Sequence, residues 1–267
     1  MRGWLGVLAA ALWLQPVDAA PPPSPAISII IDDLGARRDR GLRAVRLPGP
    51  VACAFLPHST YTRELASAAH AHHKEVLLHL PMQPVEHRAL DAGGLSLDMT
   101  QEQFARALQQ DLAAVPHVSG INNHMGSLLT RHPGHMLWLM QEINRRGALF
   151  FVDSRTTTET VAMQVAQENR VPSLERDVFL DHDPSPEGVR AQFERLLALA
   201  KKRGGAVGIG HPKPATLAVL EELLPTLKQH GVRLVSVSEM IELQQGRSAP
   251  WRASWSPSPP AAKSSRP

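Results

Sequence analysis

Cysteine is almost missing: Cys53 is the only one in 267 residues. No intrachain disulfide can form, and no zinc site of several thiolates can be assembled. Cys53 sits in the apolar run 51–55 and reads as a small core residue. Aromatics are scarce at 4%, with a single tyrosine, so aliphatic side chains have to fill the core. No dense Lys/Arg block with interleaved aromatics occurs, and no nucleic-acid partner is expected. A Gly-rich dinucleotide fingerprint is absent after the first apolar segment, where residues 32–36 read Asp-Asp-Leu-Gly-Ala, and no phosphate-loop motif occurs. Against these absences stand 43% hydrophobic residues, enough for a sizeable core, and 13 histidines. The formal charge of +3 is modest and spread along the chain, leaving only a mild attraction to anionic polymers or membrane surfaces. Any metal site has to be built from histidine and carboxylate.

The first residues, Met1-Arg-Gly, are positively charged, and the apolar run 4–14 that follows is too short to span a bilayer in a mature protein. Val17-Asp-Ala19 fits a small-x-small cleavage pattern. Residues 1–19 therefore read as a secretory signal peptide, which implies contact with a membrane only through that peptide before cleavage and a periplasmic or secreted product. An uncleaved anchor is the alternative. Residues 20–25 form a Pro-rich linker. Residues 246–267 are rich in Pro, Ser and Ala without periodicity and are expected to be disordered, although Trp251 and Trp255 lie among them.

Between these ends, strand-like and helix-like segments alternate. Strands are expected at 26–31, 51–56, 75–79, 118–122, 149–152, 178–180, 206–209 and 233–237. Helices are expected at 37–45, 62–73, 100–114, 135–146, 160–169, 186–203 and 216–230, with Ser238 capping a last one through 245. Thr100 and Gln103 fit a capping box, Gly147 a helix stop and Pro186 a first turn. Residues 81–94 read as a long loop and 171–173 as a connector. This alternation predicts a parallel α/β architecture with about seven β–α units in about 220 residues, close to barrel size.

Polar residues gather where the strands finish: Asp32 and Asp33, His79, His124, Asp153, Asp181 and His211. In barrels and open parallel sheets the carboxyl ends of the strands share one face, which holds the active site. One aspartate and two histidines suit a divalent metal and leave positions open for water and substrate. A second carboxylate can then take a proton from water, and a further histidine can protonate a leaving group. Taken alone, Asp32-Asp33 could equally be a solvated strand-to-loop turn.

Ile31-Asp-Asp33, Glu75-Val-Leu-Leu-His79 and Val207-Gly-Ile-Gly-His211 together resemble the signatures of the polysaccharide deacetylase superfamily, the NodB-homology fold, in its divergent branch. The resemblance runs over roughly residues 26–243, within a single domain expected at 26–245. It implies a single-domain distorted (β/α) barrel and a metal-dependent hydrolase that removes N-acetyl groups from a glycan. It further implies Asp33 and His79 as ligands of a divalent metal, Zn2+ first among the candidates, with Asp32 as base and His211 as acid. Two departures stand out. Gln83 occupies the place of the usual second histidine ligand, and Asn122-Asn-His-Met-Gly-Ser127 stands near the place of the usual Arg-x-Pro-Tyr segment. His124 is the replacement ligand that position and chemistry offer. Asp153 is expected to orient His211 or to bind substrate, with Arg155 nearby, and Asp181 to face the cleft. Among the other histidines, 58, 70, 72, 73, 87, 117, 132 and 135 read as surface or packing residues. The loss at Gln83 leaves two rivals open: an inactive envelope carbohydrate-binding or interaction protein that keeps the fold, or a metal hydrolase of another amide or ester.

Overall fold

Nine strands and eight α-helices alternate along the described part of the chain, which comprises residues 24–86 and 88–248 of a computed structural model. The signal-peptide segment, most of the Pro-rich linker, His87, and the tail beyond 248 with Trp251 and Trp255 lie outside the described residues. The elements are β1 (Ala26–Leu34), α1 (Arg38–Val45), β2 (Ala52–Phe55), α2 (Thr62–Ala71), β3 (Val76–Met82), α3 (Gln101–Ala114), β4 (Val118–Met125), α4 (Pro133–Arg146), β5 (Phe150–Asp153), α5 (Ala162–Glu168), β6 (Ser173–Glu175), β7 (Val178–Phe179), α6 (Pro186–Arg203), β8 (Gly205–Gly210), α7 (Pro214–Leu223), β9 (Arg233–Leu234) and α8 (Val237–Ser248).

Every strand pairing is parallel, in the order β6-β5-β4-β3-β2-β1-β8-β7, with β9 added on β1. The two ends of this path, β6 and β7, are joined by Arg176 and Asp177 alone. So short a link spans at most roughly 11 Å, so the sheet has to curl until its edges nearly meet. The fold is the expected distorted parallel barrel, with nine strands rather than about seven. The unforeseen strand is β6, whose three residues are too few to show an alternating pattern and which follows a proline. Another difference is at the helix after β8, where 216–230 divides into α7 and a 3-10 stretch, Leu224–His230, around Pro225.

Two apolar layers hold the curl. The larger lies between the sheet and α1–α7, with Ile29, Ile31, Phe55, Leu78, Phe104 and Phe193 buried in it. The smaller fills the inside with Ile30, Leu77, Val152 and Ile209, and α8 closes the end where the strands begin through Met240 and Ile241. Each such side chain contributes roughly 1.5–3 kcal/mol by leaving water. Since side chains alternate along a strand, the residues two places after these inner ones also face inward. They are Asp32, His79, Ser154 and His211. The inner core is thus the floor on which the polar site stands.

Glu75, which opens the motif before His79, serves the opposite end. Its carboxylate accepts from the backbone N–H groups of Val237 (2.7 Å) and Ser238 (3.1 Å), the first of α8. The serine that caps this helix by its own side chain is Ser236, accepting from Glu239 N, rather than Ser238. The capping box of Thr100 and Gln103 forms as expected.

Cys53 is fully buried, and burial pushes its thiol pKa up to about 12. Native protein should therefore show no reaction with a disulfide reagent such as Ellman's at pH 8, and one thiol should titrate after denaturation. Rapid labelling of native protein would contradict this packing.

Candidate metal centre and active site

Neighbouring residues on a regular strand point to opposite faces, so Asp32 and Asp33 could not share a cleft without a local irregularity. The register between β1 and β2 shifts between Ile31 and Leu34, and Asp33 takes a left-handed backbone with φ of 55°. This bulge turns the Asp33 side chain to the same opening as Asp32. Two further non-glycine residues in the left-handed region, Met125 (φ 51°) and Arg155 (φ 48°), follow His124 and Ser154 at the ends of β4 and β5. Asn123 pins the first of these turns: its side-chain NH2 donates to the Met125 carbonyl and its oxygen accepts from Ser154 N, each at 2.8 Å.

Three donor atoms converge at this opening. Asp33 Oδ1 lies 3.2 Å from His79 Nε2 and 3.0 Å from His124 Nδ1, and the two nitrogens are 3.1 Å apart. Donor atoms around a tetrahedral zinc, at ~2.0–2.1 Å from it, are ~3.3–3.4 Å from one another. The triangle is close to that size. Asp33 Oδ1 is also buried with no well-directed hydrogen bond to it, while His124 Nδ1 and His79 Nε2 are within hydrogen-bond distance of each other. The donor set, one carboxylate and two imidazoles, fits a zinc-type ion.

Both imidazoles are fixed from behind. His79 Nδ1 donates to Asn122 Oδ1 at 3.0 Å, which leaves Nε2 toward Asp33. Asn122 in turn donates to Asp32 Oδ1 (2.8 Å) and to Ser154 Oγ (3.3 Å). His124 Nε2 faces Asp91 Oδ2 at 3.0 Å, leaving Nδ1 toward the group. Such outer contacts set the ring tautomer and orientation of metal-binding histidines.

Burial raises the Asp32 pKa, and the positive fields of His79 and His211 only partly oppose it. Burial would also raise that of Asp33, but His124 and His79 more than reverse this and hold it well below the usual carboxylate range. His79 is desolvated, which lowers its pKa, yet the charge of Asp32 and the contact with Asp33 lift it to about 9. The two adjacent aspartates thus sit in opposite electrostatic situations.

His211 enters from β8. Its Nδ1 donates to Asp181 Oδ1 (2.9 Å), and its backbone N–H donates to Asp181 Oδ2 (2.8 Å). Thr216 Oγ1 donates to that same Oδ2, which fixes the buried carboxylate. His211 Nε2 is left 3.6 Å from Asp33 Oδ2. Asp32, His79, His124 and His211 line one pocket of about 370 Å³, together with Arg176 and Phe179.

The sequence of this chain matches the divergent polysaccharide deacetylase family over residues 29–241. The chain belongs to that family. It is 36% identical to the protein YibQ of Escherichia coli over 219 residues, covering 82% of this chain and 68% of YibQ. The fold of this family member is similar to that of protein ATU2773 of Agrobacterium tumefaciens, at a TM-score of 0.78 and 19% identity, over 83% of this chain and 91% of that one. It is also similar, at a TM-score of 0.53 and 14% identity over 83% of this chain and 69% of that one, to a mutant of BA3943 from Bacillus anthracis, described as a CE4 family pseudoenzyme with restored enzymatic activity.

Within this deacetylase fold the expected site residues are distributed as follows. Asp32, Asp33, His79, His124 and His211 come together as described. The place foreseen for Asp153 beside His211 is taken by Asp181: the Asp153 carboxylate accepts instead from Arg155 N and Thr160 Oγ1, both at 2.8 Å, and holds the turn after β5. The Arg155 guanidinium lines the pocket and pairs with Glu175 at 3.2 Å. Gln83 is structural: its side-chain oxygen accepts from Leu97 N at 2.8 Å and anchors the long loop after β3.

Sequence reading missed Asp91, Asn122 and Arg176. Asp91 lies in that long loop and carries no strand-end signal. Asn122 precedes His124 by two residues and so shares its face, a clue that the period of 2 contains. Arg176 donates to the Ser154 and Arg155 carbonyls (2.6 and 2.8 Å) and lies over the Phe179 ring, tying the β6–β7 link to the pocket.

Zinc titration tests the triangle. Asp33→Asn and His124→Ala should each abolish tight, stoichiometric binding, and Asp91→Asn should weaken it by roughly 10–100-fold. Unchanged affinity in His124→Ala would remove that residue from the set.

Proposed function

We propose that this divergent polysaccharide deacetylase is a metal-dependent hydrolase that removes N-acetyl or related acyl groups from an envelope polysaccharide or another glycan. The observation that carries the reading is the placement of a free carboxylate and a free imidazole nitrogen around the donor triangle. Asp32 Oδ2 is 3.7 Å from His79 Nε2, and His211 Nε2 is 3.6 Å from Asp33 Oδ2. A zinc-type ion held by Asp33, His79 and His124 would supply Lewis acidity toward the acyl carbonyl and the attacking water.

The chain's own groups account for the proton movements of amide hydrolysis. Water forms the new C–O bond while Asp32 takes its proton. Asn122 holds Asp32 Oδ1 at 2.8 Å, which leaves the other oxygen to act. The C–N bond then breaks, and His211 Nε2 delivers a proton to the leaving amine. Asp181 keeps the His211 Nδ1 protonated and the ring oriented, as a buried carboxylate does for a catalytic imidazole. Phe179, edge-on to the His211 ring at 5.4 Å, restricts water and gives a sugar an apolar surface.

The rival reading, a fold kept without activity, took its force from Gln83. That force is reduced because His124 supplies a third donor and Gln83 has a separate task in the loop. The signal-like pattern of residues 1–19 supports placing the substrate in the periplasm or outside the cell.

Acetate release from N-acetylated oligosaccharides, with and without zinc, tests the function. Asp32→Asn should lower kcat by roughly 10²–10⁴-fold while zinc content stays the same. Asp181→Asn should lower kcat with little change in KM. Absence of acetate from zinc-loaded wild type across neutral and acidic glycans would sink the deacetylase reading.

A further inference from the structure

A second pocket, of about 330 Å³, shares His211 with the first and is also lined by Asp33. Its remaining polar lining is cationic: Arg37, Arg40 and Lys213. Three like charges in so small a space repel one another, and helix stability does not explain them. Arg37 and Lys213 are the N-cap residues of α1 and α7, and neither makes a side-chain capping bond. A cation there opposes the positive end of the helix dipole and cannot accept from the free N–H groups. By contrast α3, α4 and α6 begin at Thr100, His132 and Ser185, whose side chains do cap.

Local pairing does not consume these charges either. Arg37 meets Asp39 at 3.3 Å, but both side chains are more than 60% exposed, with values of 63% and 66%, and a pair of that kind holds weakly. Lys213 donates to the Asp181 carbonyl at 2.9 Å and lies 3.8 Å from the Asp181 carboxylate. Arg40, a half-buried residue, has no ion-pair partner among the described residues. In the first pocket the arginines are already engaged, Arg155 by Glu175 and Arg176 by main-chain carbonyls. Asp33, the acid in the lining of the second pocket, belongs to the donor triangle. Unspent positive charge is therefore concentrated on one flank of the site.

We propose that this pocket is a subsite for an anionic group, a carboxylate or a phosphate, carried by the sugar next to the acylated one. The substrate is then an acidic glycan rather than a neutral N-acetylglucosamine polymer. This inference rests on the deacylase reading for the site, and binding tests it apart from turnover.

The experiment compares three probes: a neutral N-acetylglucosamine tetramer, a matched oligomer with alternating N-acetylmuramic acid, and a matched oligomer bearing glycerol phosphate. Calorimetry on zinc-loaded Asp32→Asn protein reads affinity, and acetate release by wild type reads kcat/KM. At least one acidic probe should bind roughly tenfold more tightly than the neutral one, and the better of the two identifies carboxylate or phosphate as the group. Adding Arg40→Gln should remove most of that preference, Arg40→Lys should restore part of it, and about 0.5 M salt should shrink it. Equal affinity for all three probes, or a preference unaltered by Arg40→Gln combined with Arg37→Gln, would overturn the subsite. Equal kcat/KM on neutral and acidic probes with equal binding would overturn the subsite while leaving the deacetylase reading in place. Arg40-dependent binding of an acidic probe without acetate from any glycan would uphold the subsite and overturn the deacetylase reading.

Discussion

The Asp33 carboxylate, held between the imidazoles of His79 and His124, is the contact on which the rest of the site depends. It exists because β1 bulges at a left-handed aspartate, a conformation that costs of the order of 1 kcal/mol or more outside glycine. The same conformation recurs at Met125 and Arg155, at the open ends of β4 and β5, and also at His73, His117 and Arg170 in the turns that lead into β3, β4 and β6. Two apolar layers, one inside the curl and one under the helices, offset it. Asp32, His79 and His211 inherit their inward direction from Ile30, Leu77 and Ile209 directly beneath them.

Around that contact the polar groups form one connected set. Asn122 joins the proposed base to a proposed ligand by touching both Asp32 and His79. Asp91 reaches His124 from the loop after β3, and the loop's position is set in turn by two anchors, one half-buried and one buried. One is Gln83, bonded to Leu97 N. The other is Asp111, which bonds His58 Nε2 at 2.7 Å. Gly93 lies so close over Asp111 that an added Cβ would come within 2.1 Å of its Oδ1. The glutamine that replaces a histidine in the motif is therefore coupled to the site indirectly, through the loop that carries Asp91.

The alternation of strands and helices, and the acids and histidines at strand ends, could be read from the sequence because the strands are apolar on both faces and their ends change character abruptly. Asp33, His79 and His211 stood out for that reason. The barrel itself was expected from the number of β–α units and from the family resemblance, but the two-residue link between β6 and β7 that brings the sheet edges together was hidden, since β6 is too short to show a period. The choice of Asp181 over Asp153 beside His211 was equally hidden. Both follow apolar strands, and only the neighbouring position of β7 and β8 in the sheet decides which carboxylate meets the ring. Asp91 lay in a loop with no pattern at all, so its part in orienting His124 became visible only in three dimensions.

Zinc K-edge X-ray absorption on the loaded protein tests the central claim, that Asp33, His79 and His124 surround one ion. The account predicts two imidazole nitrogens and a carboxylate oxygen in the first shell at ~2.0–2.2 Å, with one imidazole contribution lost in His124→Ala. A first shell without imidazole scattering, or a spectrum unchanged in His124→Ala, would contradict it.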